Sequence, residues 1–172
     1  MKFTDKQDRA IFIRRTTVDD CGATIPFRRT MLAERLPYIM AGEDPTPESQ
    51  REFIERHQGE GKILLSAWDS DAIVGLCGAT RKENEQQRHI AVLGISVAKS
   101  HRGSGIGTQL LQALIDWARE TGVRRLSLEM IEGNPAERLY ERMGFEHEGI
   151  QRQAHCHEGR YMDVVVMARL FL

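Results

Sequence analysis

The chain is short of net charge, of cysteine and of long apolar runs, and each shortage removes a class of protein. Lysine and arginine number 24 against 25 aspartates and glutamates, a formal net charge of −1 over 172 residues. So small a balance offers no electrostatic basis for binding nucleic acid. The three cysteines, Cys21, Cys77 and Cys156, are odd in number and unrelated in spacing, so no disulfide framework is expected. No stretch is apolar for the length of a membrane span, and none has the form of a secretory signal. The expected setting is therefore a reducing cytoplasm, away from membranes. There is neither an internal repeat nor a low-complexity segment. What remains is 41% hydrophobic, a chain sized for one domain with a real core.

Residues 1–9 are polar and are expected to form a flexible tail, leaving 10–172 as a single domain. A short strand follows over 10–14. Asp19 and Asp20 start a helix through Phe27, Met31, Leu32 and Leu36, and Pro37 disturbs its end. Residues 41–47 read as a loop, and a second helix runs from Pro47 or Glu48 to about His57. Residues 63–68 and 72–79 form two strands of a hairpin around Asp69-Ser-Asp71. Residues 90–97 are rich in β-branched side chains and read as a buried strand, in which Gly94 marks a bulge, a close backbone approach or a small packing residue. Residues 125–130 alternate, with Leu126, Leu128 and Met130 on one face and Ser127 and Glu129 on the other. A helix over 136–143 stops at Gly144, and two strands, about 149–155 and 160–170, join at His157-Glu-Gly159. Runs of adjacent strands broken by helices imply an α/β (α+β) fold, a mixed and mostly antiparallel sheet of about seven strands with helices on both faces.

The chemistry concentrates after the strand at 90–97. Lys99, His101 and Arg102 precede Gly103-Ser-Gly-Ile-Gly107, and Gly107, Leu110, Leu111, Leu114 and Ala118 then fall on one helical face. Strand, glycine loop and helix present backbone N–H groups and a helix dipole to an anion, and the first acid inside the helix is Asp116. The loop lacks what two common anion sites need. A dinucleotide fingerprint wants a third glycine where Thr108 stands, and a P-loop wants Lys after its last glycine. Glu129, at a strand end beyond the loop, nevertheless keeps a nucleotide-binding domain in view.

What fits is Arg-x-x-Gly-x-Gly over Arg102-Gly-Ser-Gly-Ile-Gly107, which resembles the acetyl-CoA pyrophosphate loop of the GNAT acetyltransferase superfamily. The later Asn134-Pro-Ala-Glu-Arg-Leu-Tyr140 and Gly144-Phe145 are similar to that superfamily's Asn, Leu-Tyr and Gly-Phe segment, with one residue fewer between Asn and Tyr. The ending, Gly149 to Met167, looks like the branch that acetylates ribosomal proteins or amines.

The resemblance implies a catalytic fold in which the central strand and its neighbour splay to admit acetyl-CoA. Pantetheine would pair with backbone at Ile95, Ser96 and Val97. The pyrophosphate would lie on the amides of Arg102, Gly103, Ser104, Gly105, Ile106, Gly107 and Thr108, with the Arg102 side chain on phosphate and Ser104 and Ile106 contributing backbone only. Asn134 and Tyr140 belong to the same site, Tyr140 as the acid that protonates the departing thiolate. For a base the residues offer Glu129 and Glu34, each at least as readable as a salt-bridged or solvated carboxylate, and, less well placed at the far end of its strand, His89. His155-Cys-His-Glu158 has no distant second pair of ligands and reads as a hairpin tip, so no metal is expected. The acceptor implied is a small-molecule amine or a protein N-terminus, and acidic residues near the first two helices suit a cationic amine. A noncatalytic acyl-CoA sensor is the other class in keeping with the loop, and a homodimer is left open.

Overall fold

A computed structural model of the chain describes residues 1–38 and 43–171; Ala41 and Gly42 of the expected loop lie outside them. The strands are β1 (Lys2–Thr4), β2 (Ala10–Arg15), β3 (Lys62–Asp69), β4 (Ala72–Arg81), β5 (Ile90–Val97), β6 (Arg125–Ile131), β7 (Glu146–His157) and β8 (Arg160–Leu170). The helices are α1 (Cys21–Ala33), α2 (Pro47–Glu55), α3 (Ile106–Glu120) and α4 (Glu137–Arg142). One sheet in the order β1-β2-β3-β4-β5-β6-β8-β7 holds eight strands, one more than expected. Only β5 and β6 run parallel, so this is not the parallel doubly wound sheet of a dinucleotide fold.

The sheet is covered on both faces because its middle strands are apolar on both. Ile63, Leu65, Ala67, Val74, Cys77 and Ala79 pack toward Leu110, Leu111, Leu114 and Ala118 of α3. The alternate residues turn the other way: Ile73 and Leu76 meet Phe27 and Met31 of α1, and Leu64 meets Ile54 of α2. A bulge opposite Ala67 and Trp68 puts one extra residue into β4 and lets Val74 and Gly75 both face α3. There Gly75 is close-packed, since an added Cβ would lie 2.9 Å from Leu110 Cδ1.

Two element boundaries depart from expectation. The first helix ends at Ala33 rather than near Leu36, because Arg35 adopts a left-handed φ of 47° and Pro37 disfavours helical geometry in the residue before it. The last hairpin turns on Glu158 and Gly159, both at positive φ, and carries pairing from His157 opposite Arg160 back to Glu146 opposite Ala168.

The expected flexible tail at 1–9 is ordered instead. Lys2–Thr4 pair with β2, and the Met1 ammonium donates to the Ile13 carbonyl at 2.7 Å. The Asp5 carboxylate, with no exposed side-chain surface, accepts from the backbone N–H of Gln7 and Arg9 and from the Arg9 guanidinium at 2.6 Å. A polar segment folds here because its charges satisfy one another, which no hydrophobic pattern records. Burial pushes the Asp5 carboxyl up, but the bonds from Arg9 and Gln7 outweigh it and hold its pKa at about 2. The folded pKa lies below the unfolded one, so this stabilisation is present above about pH 4 and is lost as pH falls toward 2. Arg14 on Asp20 and Arg125 on Glu148 depress those carboxyls in the same direction. The melting temperature, followed by circular dichroism, is expected to fall across this acid window, with a shallower fall in Asp5→Asn. Equal slopes in the two proteins would mean that the Asp5–Arg9 pair contributes nothing to the pH dependence.

Candidate active site

β5 and β6 pair only at Ile90, Ala91 and Val92 against Arg125, Leu126 and Ser127, and then part. Beyond that point Gly94 to Val97 face Leu128 to Ile131 across a cleft of about 660 Å³. β5 stays bonded to β4 along its whole length, so only the backbone groups it turns toward β6 are left without a strand partner. Gly94 sits in register opposite Gly78 without a bulge, and nothing lies within 4 Å of where its Cβ would be. The structure shows neither a bulge nor a packed neighbour there.

At the mouth of the cleft Gly103 and Gly105 take φ of 73° and 101°, and Gly105 caps α3 with no side chain bonded to the first-turn amides. No acidic residue occupies that turn. Ser104 is buried and donates to the His101 carbonyl at 2.7 Å, closing the loop, while Ile106 is buried in the core; neither side chain faces the cleft. Gly107 lets the helix lie against Leu139, whose Cδ2 would be 3.1 Å from an added Cβ.

Arg102 is the main correction to the sequence-based site. Its guanidinium holds both carboxylate oxygens of Glu34 at 2.7 Å, and its Nε donates to the Val97 carbonyl at 2.9 Å. Three of its five N–H donors thus clamp the loop to α1 and β5, while the side chain still lines the cleft. The same pair takes up both oxygens of Glu34, which does not line the cleft. Other cations line the cleft: Lys6, Arg138 and Arg142. Lys6 arrives there because its backbone N–H donates to the Ser104 carbonyl at 3.0 Å, so the segment expected to be a tail becomes part of the site.

Tyr140, Asn134 and Glu129 all line the cleft. Tyr140 is 5% exposed, packed edge-on against Phe145 at 5.9 Å; burial first, and then the nearby Cys77 thiol, push its phenol well above the usual value. Its hydroxyl therefore stays protonated, as an acid must. Asn134 caps the turn into α4, its side chain accepting from the Ala136 N–H at 2.9 Å. Glu129 is exposed, its carboxylate meeting Gln151 at 3.5 Å. His89 lies outside the cleft lining.

Two residues not anticipated from sequence complete the far end: Arg28 on α1 and His57, just past α2. His57 Nδ1 lies 2.8 Å from the Phe53 carbonyl, an acceptor only, so Nδ1 carries a proton and Nε2 is the nitrogen left outside that bond. The ring stands over Gly78, where an added Cβ would meet His57 Cδ2 at 3.2 Å. A cleft with open strand backbone, free helix amides and several lining cations fits a long, anionic thioester cofactor, and the imidazole over Gly78 fits an acceptor of protons.

Residues 28–145 match the acetyltransferase (GNAT) family. The chain belongs to it. The L-amino acid N-acetyltransferase AaaT of Escherichia coli is 30% identical over 63% of this chain and 68% of its own. Among solved structures, a ribosomal-protein-alanine N-acetyltransferase from Brucella melitensis superposes with a TM-score of 0.83 at 29% identity, covering 93% of this chain and 99% of that one. A phosphinothricin acetyltransferase from Sinorhizobium meliloti, solved with acetyl-CoA, has a TM-score of 0.84 over 98% and 89% of the two chains at 21% identity, a likeness of fold. Across the first curated relatives the matched stretch spans 62% to 77% of their lengths. As a GNAT member the chain is an acetyl-CoA-dependent N-acetyltransferase. Among the described residues no helix is long and apolar enough to cross a membrane.

Proposed function

We propose that the acetyltransferase moves the acetyl group directly to a primary amine, on a small molecule or a protein N-terminus, within a ternary complex. The observation that carries this reading is the single cleft that joins the open β5 backbone to the His57 end. The relatives' names support both kinds of acceptor, one being an L-amino acid enzyme and another a ribosomal-protein-alanine enzyme. The exposed free thiol of Cys156 accords with a cytoplasmic setting.

Acetyl-CoA, when bound, supplies the thioester carbonyl that the neutral amine attacks, forming the C–N bond and breaking the C–S bond. The chain's own part is binding and proton traffic. Backbone at Ile95, Ser96 and Val97 pairs with the pantetheine amides. The amides of residues 103–108 take the pyrophosphate, and Lys6, Arg138 and Arg142 balance the remaining phosphate charge. Arg102 positions the loop through Glu34 and Val97 without touching phosphate. His57 Nε2 receives the proton from the attacking nitrogen, and Tyr140 gives its phenolic proton to the thiolate. Solvent then takes the proton from His57 and restores that of Tyr140, so the products are an amide, a free thiol and one proton for each ammonium consumed. Glu129 is another basic group in the cleft, but its exposed carboxylate is less firmly held than the His57 ring.

Saturating acetyl-CoA, at 100 times its Kd, is expected to add about 2.7 kcal/mol and raise the melting temperature by about 5–10 °C, whereas NAD adds nothing. Thiol release with a panel of amines and peptides then tests transfer. Stabilisation without thiol release from any acceptor would make the protein an acyl-CoA sensor.

A further inference from the structure

Arg28 differs from several other arginines of the chain in having no carboxylate partner among the described residues. Arg9, Arg14, Arg102 and Arg125 each hold a carboxylate, of Asp5, Asp20, Glu34 and Glu148 respectively. Arg29, the next residue along α1, turns outward to Asp44. Arg28 turns the other way, into the cleft, and lies over the ring of Phe53 at 5.7 Å from its centroid. Its Nε is closed off from solvent and has no hydrogen-bond partner among the described residues. The surrounding wall is apolar, with Met31, Leu64 and Leu76.

A half-buried guanidinium in such a wall, with no ion pair among the described residues, is costly unless an anion arrives to meet its outer N–H groups. Its planar fork matches a carboxylate through two parallel hydrogen bonds, and the ring beneath keeps the fork in place. Burial also lowers the Arg28 pKa, the direction expected of a cation without a counter-charge. The His57 ring lies 4.7 Å from the same Phe53 ring, so one aromatic side chain stands beside both the cation and the imidazole. Arg28 belongs to the α1 and α2 face of the sheet, opposite the face covered by α3, and so is set apart from the helix that receives the phosphates.

We propose that Arg28 binds a carboxylate of the acceptor, which makes the substrate class a free amino acid, with amine and carboxylate a few bonds apart, rather than a protein N-terminus. This rests on the acetyl-transfer reading above and narrows it. A peptide N-terminus presents a neutral amide where the free acid has its carboxylate, and would leave the guanidinium unmet. Specificity would then come from a lone cation, in place of the acidic attraction of an amine that composition suggests.

The test is thiol release from acetyl-CoA with the common L-amino acids, each beside its amide and one dipeptide that begins with it. Free acids that turn over are expected to exceed their amides about 10- to 10²-fold in kcat/KM, mostly through KM. In Arg28→Gln that ratio should collapse toward one, and Arg28→Lys should recover part of it. A packing defect would lower both members of a pair and leave the ratio alone. Amides or dipeptides that match free acids in the wild type, or an undiminished ratio in Arg28→Gln, overturn the proposal. Turnover of neutral amines alone also overturns it while leaving acetyl transfer intact. Failure of every acceptor sinks both, and a melting shift with acetyl-CoA then shows whether cofactor binding survives.

Discussion

Replacing Gly105 with valine is expected to raise the Kd for acetyl-CoA by about 10²-fold or more while the protein stays folded. Gly105 caps α3 at a φ of 101°, where a β-branched residue is strongly disfavoured. Its missing Cβ would point into open space, with no atom within 4 Å, so the valine meets no packed neighbour. The side chain enters the volume through which a phosphate must reach the amides of residues 105–108. Loss of two charge-assisted hydrogen bonds, each worth about 1.5–3 kcal/mol, sets the expected size. Isothermal calorimetry gives the affinity and far-ultraviolet circular dichroism the fold. Wild-type affinity in Gly105→Val would show that the pyrophosphate does not lie on this loop.

Tyr140→Phe is expected to reduce kcat by about 10- to 10²-fold with little change in acetyl-CoA affinity or melting temperature. The substitution keeps the edge-on contact with Phe145 and removes one hydroxyl. That hydroxyl is protonated throughout any practical assay because burial raises its pKa. The same shift makes transfer to a thiolate uphill, since an ordinary thiol pKa is about 8.5, and this places the loss toward the lower end for general acid catalysis. His57→Gln in parallel separates the two protons. It should lower kcat through the amine side, and full kcat there with a loss in Glu129→Gln would move the base to Glu129. Full kcat in Tyr140→Phe would leave Tyr140 a packing residue, whereas matched losses of stability and rate would assign the effect to the fold.

How much could be read in advance depended on the range of the signal. The glycine loop, its helix and β5 were legible because spacing within a few residues carries them: alternation for strands, 3.6-residue periodicity for α3, and glycines where φ must be positive. The pairing of Arg102 was not legible for the opposite reason. Its partner, Glu34, lies 68 residues away, and local sequence places the guanidinium near phosphates without showing the carboxylate that occupies it. The segment at 1–9 was misread because its order rests on paired charges and one strand ladder, with no apolar periodicity to announce it.

His57 and Arg28 had no local signature at all. Each is a single polar residue on or beside a short helix, and its meaning depends on what another element brings to it. Gly78 makes room beneath the imidazole, and Phe53 places a ring under the guanidinium. The sequence by itself determined the order of strands and helices from β2 onward, the glycine turn before α3 and the presence of Tyr140 after it, because hydrogen-bond geometry and side-chain periodicity act between neighbours along the chain. Only the tertiary structure decided which charges are spent on one another and which stay free in the cleft, because electrostatic pairing depends on distance in space, and the sheet alone sets α1 and α2 beside the place where β5 and β6 part.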